Sequence, residues 1–183
     1  MTRIIGIDPS LTGTGLAFVD TDDHLVIPVE TLTSKPDGAT LDDRRHRLLT
    51  VVEAIVYKAV AHKADLAVIE TPALSKANAG TTMLNGLWWL LVTRLAEARV
   101  DVVEVGAGQL KKYATGKGNA SKDAVLLAVA RRYPHVDIST NDEADALVLA
   151  AIGAHLVGHP IDELPKTHLE ALTKVARPAG IAA

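Results

Sequence analysis

The run Arg3-Ile4-Ile5-Gly6-Ile7-Asp8-Pro9-Ser10-Leu11-Thr12-Gly13-Thr14-Gly15-Leu16-Ala17-Phe18-Val19-Asp20 decides the fold. Two apolar strands, 3–8 and 14–20, flank a turn rich in proline, glycine and hydroxyl residues. A second turn, Asp20-Thr21-Asp22-Asp23, leads into a third strand at 24–33, so the chain opens as an antiparallel meander. Beyond Pro36-Asp37-Gly38 the period changes. Leu48, Val51, Val52, Ile55, Val56 and Ala59 recur at helical spacing and predict an amphipathic helix over 41–62. A strand at 65–70, a helix at 79–98, a strand at 101–105, a helix at 121–133 and a core helix at 142–157 follow. This βββαβαβα order predicts an α/β domain with a mixed five-stranded sheet flanked by helices. Residues 1–158 make that domain. Residues 159–183 read as a C-terminal tail with helical potential over 162–176 and a fraying Pro178-Ala179-Gly180 end.

With 183 residues, 48% of them hydrophobic, one domain can bury a substantial core without covalent staples. The absence of cysteine excludes disulfide frameworks, thiolate metal sites and cysteine nucleophiles. None of the seven histidines pairs at a zinc-site spacing. No apolar run reaches the roughly 20 residues of a membrane span, and the N-terminus enters a strand, so the expected location is cytoplasmic and no membrane partner is expected. A net charge of −3 argues against a uniformly basic coat. The positive charge is local instead: Lys111, Lys112, Lys117 and Lys122 in one segment, Arg44, Arg45 and Arg47 in another.

Candidate chemistry lies in acids at the ends of apolar runs. Asp8 closes the first strand and Glu70 closes Leu66-Ala67-Val68-Ile69 just before Thr71-Pro72. Asp142 and Asp145 stand three apart on one face of the last core helix. Each has an ordinary alternative: an Asx turn for Asp8, a solvent-facing strand end for Glu70, a dipole-stabilised first turn for Asp142. Asp145 is harder to explain away, because it interrupts a helix that is apolar nearly all round. Together the four would repel one another unless Mg²⁺ or Mn²⁺ neutralised them, which points to phosphoryl chemistry with two ions. Thr140 and Glu143 read as a capping box for the same helix. Ser121 reads as an N-cap, which puts Lys122 in a first turn against the helix dipole and suggests a phosphate contact. Glu104 and Asp20 are outward strand acids and stay outside the site. The helix at 79–98 is apolar on two sides: Leu84, Leu87, Trp88, Leu91 and Leu95 face a core, leaving Trp89 and Val92 for a second surface that suits either a dimer or an ordinary buried helix.

On Gly6-Ile7-Asp8-Pro9, Val68-Ile69-Glu70, Gln109-Leu110-Lys111 through Gly116-Lys117-Gly118 to Lys122, and Asp142-Glu143-Ala144-Asp145-Ala146-Leu147, the chain resembles the RuvC family of Holliday-junction resolvases, in particular its phage-type members. The resemblance spans about 3–157. It implies an RNase H-like fold, a homodimer, and Mg²⁺-dependent paired symmetric nicking of four-way and related branched DNA. By position it implies Asp8, Glu70, Asp142 and Asp145 as metal-binding acids, and Lys111 and Lys122 as active-site lysines. One departure stands out. Bacterial members carry an aromatic wedge shortly after the strand-end glutamate, whereas here the stretch is Thr71-Pro72-Ala73-Leu74-Ser75. The rival readings are an actin-like or sugar-kinase-like nucleotide-binding protein, which needs a second phosphate-binding hairpin that this chain lacks; an inert DNA-binding protein, which the complete acid set opposes; and a related nuclease acting on RNA or replication intermediates.

Overall fold

The computed structural model describes residues 2–22, 25–72 and 78–176, with backbone alone for 25–28. Ala73, Leu74 and Ser75 of the stretch where an aromatic wedge is lacking, and the Pro178–Gly180 end, lie outside these residues. Five strands form one sheet: β1 (Arg3–Asp8), β2 (Gly13–Asp20), β3 (Leu25–Thr33), β4 (Leu66–Glu70) and β5 (Asp101–Val105). The strand order is β3-β2-β1-β4-β5. The β1–β2 and β2–β3 pairs are antiparallel, while β1–β4 and β4–β5 are parallel. This is the expected mixed sheet of the RNase H-like fold. Helices α1 (Leu41–Ala61), α2 (Ala79–Glu97), α3 (Ala107–Thr115), α4 (Lys122–Arg132), α5 (Asn141–Leu156) and the short α6 (Lys166–Leu169), which runs into a 3₁₀ turn at Glu170–Lys174, complete the chain. Among the described residues no helix is long and apolar enough to cross a membrane.

Strand alternation sorts the side chains onto two faces. Ile5, Ile7, Leu16, Phe18, Ala67 and Ile69 pack under α1 and α2. Ile4, Ala17, Val19, Leu66 and Val68 face α5 together with α3 and α4. The parity extends to the strand ends. Asp8 shares the face of Ile4 and Gly6, and Glu70 that of Leu66 and Val68. The parallel register pairs Ile7 with Ile69, so one residue further on both carboxylates leave the sheet side by side, toward α5.

Helix α5 lies almost against the strand backbone. A Cβ built on Gly6 would sit 2.0 Å from Ala146 O, and one on Gly15 would sit 2.0 Å from Asp142 O. From the helix side, a Cβ on Gly153 would come within 2.8 Å of the Ile4 and Val68 methyls. Every α5 residue from Glu143 to Ala154 is buried. Its alanine-rich composition permits such proximity, and the Thr140–Glu143 capping box forms as expected.

Two departures from the sequence reading concern the later chain. Helix α3 falls in a segment ahead of Gly116 to which the sequence reading assigned no element; the physical signal was Leu110, Tyr113 and Ala114, its buried face. In place of one helix over 162–176 there is α6 followed by a 3₁₀ turn. Ala171 and Val175 are buried in the α5-side core, with Ile161, Leu164, Leu169 and Leu172 packed against it.

Gly15→Ala is expected to lower the unfolding free energy by about 3 kcal/mol, because a methyl group must displace α5 backbone rather than a flexible side chain. Gly86→Ala in α2 is the contrast, since its Cβ would lie 3.7 Å from Leu48 Cδ1, an ordinary contact. It should stabilise by up to about 1 kcal/mol through helix propensity. Urea denaturation of the two variants checks this; like effects would contradict the backbone contact.

Candidate metal centre

Asp8, Glu70 and Asp145 each offer a carboxylate oxygen, and these three atoms lie within 4.8 Å of one another. Three local devices place them. The turn after β1 is held by Thr14, whose hydroxyl donates to Ser10 O at 3.0 Å and accepts from Ser10 N at 3.3 Å. Arg47 on α1 reaches under the same turn, donating to Leu11 O and to Ser34 O. At the end of β4, Trp88 Nε1 donates to Glu70 O at 3.0 Å and Thr71 N donates to Val105 O at 2.9 Å, before Pro72 turns the chain away. Asp145 comes from the second turn of α5, delivered by the glycine contacts above.

These acids are held unlike other acids of the chain. Burial opposes ionisation of Glu143 as well, but Ser139 N and Oγ, Thr140 N and Thr31 Oγ1 all donate to it within 2.8–3.1 Å, and its pKa ends below the ordinary value. That acid is a structural capping residue. Asp8 and Asp145 receive no such donors among the described residues. Burial, then the neighbouring Glu70, Asp145 and Asp142 charges, push Asp8 from 3.8 up to about 8. Burial and the Glu70 charge raise Asp145 to about 7. Burial also raises Glu70, against a hydrogen bond shared with Asp8 and the fields of Lys122 and Lys111. Such an all-oxygen set, short of donors, fits a hard divalent cation.

Asp142 stands apart from this trio. A Cβ on Gly13 would lie 3.4 Å from its Oδ2, so its carboxylate sits by the β2 start, where its charge reaches Asp8 and Asp145. Lys111 and Lys122 line the same cleft of about 250 Å³ as Asp8, Glu70 and Asp145, with Pro9, Thr71, Pro72 and Leu84 on its walls. Ser121 caps α4 as expected, accepting from Ala124 N at 3.2 Å, so Lys122 does occupy the first turn. Both lysines act on the acids through their fields. Glu104 is exposed and Asp20 pairs with Arg3 at 3.1 Å, which keeps both outside the site. Gly116 adopts φ +78° as the cap of α3, with His168 against it, while Gly118 lies against Gly108 O. The close approach these glycines permit is thus to the chain itself.

Residues 4–153 match the family model described as Crossover junction endodeoxyribonuclease RuvC. Curated relatives of that name include those of Paracidovorax citrulli, 35% identical over 153 residues and 84% of each chain, and Delftia acidovorans, 33% identical with the same coverage. Among solved structures, Thermus thermophilus RuvC superposes with a TM-score of 0.69 at 20% identity, covering 86% of this chain and 98% of that one. The same protein in complex with a Holliday junction substrate gives 0.66 at 19% identity, covering 82% and 90%.

A carboxyl whose folded pKa lies above its unfolded value binds its proton more tightly when folded. For Asp8 that contribution is complete below about pH 4 and disappears as pH rises through about 8. The metal-free protein should therefore lose thermal stability from pH 5 to pH 8, and added Mg²⁺ or Mn²⁺ should restore more at pH 8 than at pH 5. Asp8→Asn should raise the metal-free Tm at pH 8, by roughly 2–4 °C per kcal/mol of repulsion relieved, and blunt the metal response. Thermal melts across pH with and without metal test both.

Proposed function

The chain belongs to the RuvC family, and from that membership and its acid cluster we infer a metal-dependent endonuclease that resolves Holliday junctions. The observation that carries the chemistry is the convergence of Asp8, Glu70 and Asp145 at the ends of two parallel strands and on α5. We propose these three, with Asp142, as ligands for two Mg²⁺ ions, with Mn²⁺ able to substitute. A bound divalent cation supplies Lewis-acid polarisation of a phosphoryl oxygen and a lowered water pKa. The residues themselves do the positioning. The acids fix where a scissile phosphodiester must lie, and the lysines lining the same cleft supply positive charge where the transition state gains negative charge. A cleft of about 250 Å³ is smaller than the roughly 300–1,000 Å³ typical of enclosed ligand sites, and suits a phosphate of a strand lying across it. The same feature, with the single sheet of the described residues, disfavours the nucleotide-binding alternative.

A homodimer would present two such clefts to a two-fold junction and set paired, symmetric nicks. Support comes from α2, whose Trp89 is 64% exposed, and from an apolar groove of about 580 Å³ between α1 and α2, lined by Leu48, Leu49, Met83 and Leu90 with Arg44 and Arg45 at its edge. Trp88 is 8% exposed and bonded to Glu70 O, so it serves the core rather than a DNA wedge. The Thr71–Ser75 stretch carries no aromatic, so stacking worth about 1–3 kcal/mol per base is missing there. Branched substrates other than four-way junctions should then compete well.

Cleavage assays with Mg²⁺ on a four-way junction, a Y-fork and a linear duplex of matched sequence test the whole reading. The first two should be cut and the third spared; equal cutting of linear duplex would reject structure selectivity. Asp8→Asn and Asp145→Asn should lose more than about 100-fold in rate, because even outer partners of metal ligands are worth about 10–100-fold, while junction binding persists. Near-parental cleavage by either variant would remove it from the metal set.

Lys111→Ala and Lys122→Ala should each cost about 100-fold in single-turnover rate with little change in Kd. If instead binding weakens with a shallower salt dependence and the rate holds, the lysines are backbone contacts. Sedimentation should show a dimer, and a monomer both free and on the junction would contradict paired nicking.

A further inference from the structure

We propose that the segment after α5, which lies beyond the family match at 4–153, is a clasp that positions the two lysines of the cleft, with Asp162 as its central positioning residue. The inference rests on the reading in which Lys111 and Lys122 act on the scissile phosphate. Asp162, its side chain 7% exposed, gathers three neighbours. It accepts from Tyr113 Oη of α3 at 3.0 Å and from Tyr133 Oη, at the end of α4, at 2.5 Å. Arg132 Nη1 meets the same oxygen as Tyr133, Oδ2, at 3.4 Å, and beyond these three donors His155 Nδ1 stands 3.6 Å from Oδ1. Tyr113 Oη in turn lies 3.2 Å from Ala151 O and 2.8 Å from His155 Nδ1 of α5. One carboxylate thus joins the helix that carries Lys111, the helix that begins with Lys122, and the helix that carries Asp145.

A second tie acts at the end of α3. His168 Nδ1 meets Tyr113 O at 2.8 Å, and since a carbonyl can only accept, the ring nitrogen donates. The same ring lies against Gly116, where a Cβ would come to 3.1 Å from its Nε2, so it seats the turn between the two lysines. These ties are needed because α3 has nine residues, too few to be stable alone. The Lys112–Glu170 pair at 2.7 Å is exposed and adds little. The buried bonds to Asp162 are the anchor, since their loss takes the acceptor from the Tyr133 hydroxyl and leaves the Tyr113 hydroxyl and the Arg132 guanidinium only their backbone acceptors, Ala151 O and Ala114 O.

The test measures amide exchange and cleavage by the full-length protein. Asp162→Asn should speed exchange of the Leu110–Gly116 amides roughly tenfold, the worth of one hydrogen bond to a charged group, and leave β1 and β4 unchanged. It should lower the single-turnover rate on a four-way junction by a similar factor, with junction Kd and the Mg²⁺-induced rise in Tm preserved. In a Lys111→Ala/Lys122→Ala background it should cost no further rate. Tyr133→Phe should act in the same direction and more weakly, and carries the same test should Asp162→Asn fail to fold. Equal acceleration of exchange in α3 and the strands, or an undiminished rate loss in the lysine-free background, would overturn the clasp. A parent protein that leaves junctions uncut would overturn the proposed function instead, and exchange alone would then decide the clasp.

Discussion

The approach of α5 to the backbone of β1 and β2 governs this molecule. Gly6 and Gly15 leave room for helix backbone where any side chain would stand, and Gly153 returns the favour to Ile4 and Val68. The helix can then be buried on every side from Glu143 to Ala154, an arrangement that demands small residues and tolerates no added methyl. Because the helix sits so low, its second-turn acid arrives at the height of the strand ends. Had α5 stood at the usual distance of about 10 Å between packed layers, Asp145 would overhang the sheet and no trio would form. The acid trio is therefore a consequence of backbone packing, fixed before any ligand is considered.

That packing carries an electrostatic cost. Burying Asp8, Glu70 and Asp145 together raises all three, so the metal-free fold works against its own charges near neutral pH. Glu143, two residues from Asp145, shows that the chain can satisfy a buried carboxylate with donors when its role is structural. Asp8 and Asp145 have no such donors among the described residues, which leaves lone pairs of a kind that fit a cation. The rule that a buried carboxylate takes donors is broken at Asp8 and Asp145 and kept two residues away at Glu143.

Much of this was legible in the sequence, for identifiable reasons. Strand period places Asp8 and Glu70 on the α5 side, and an acid inside the otherwise apolar α5 can sit comfortably only at a cleft. Helix α3 was obscured because Gly106 and Gly116 bound it, Gly108 falls in its first turn, and the buried face of its nine residues comprises just Leu110, Tyr113 and Ala114. Helical spacing places Asp142 and Asp145 on one face, yet three residues turn a helix about 60° short of a full circle. That offset brings one carboxylate to the trio and leaves the other by Gly13. Packing of the segment after α5 could not be read from its pattern, because Ala171 and Val175 are too few to show a period, and the partners of Asp162 lie 29–49 residues away.

The opposing charges of the cleft are mounted on different bodies, and chemistry explains why. Acids come from the sheet and α5, whose relative position is set by backbone contact. Lysines come from α3 and the start of α4, which pack on α5 through Leu110, Val125 and Val129 and are tied further by side-chain bonds. Were a lysine close enough to pair with Asp8 or Asp145, it would satisfy the carboxylate, compete with a metal ion and fill the space a phosphate needs. Here the lysine fields reach Glu70 and Asp145 without a direct ion pair among the described residues. A phosphodiester entering between the two bodies would meet positive charge from one rim and, across it, acids that need a cation. Holding both rims apart requires the lysine-bearing unit to be braced from outside the cleft, which the segment beyond α5 is placed to do.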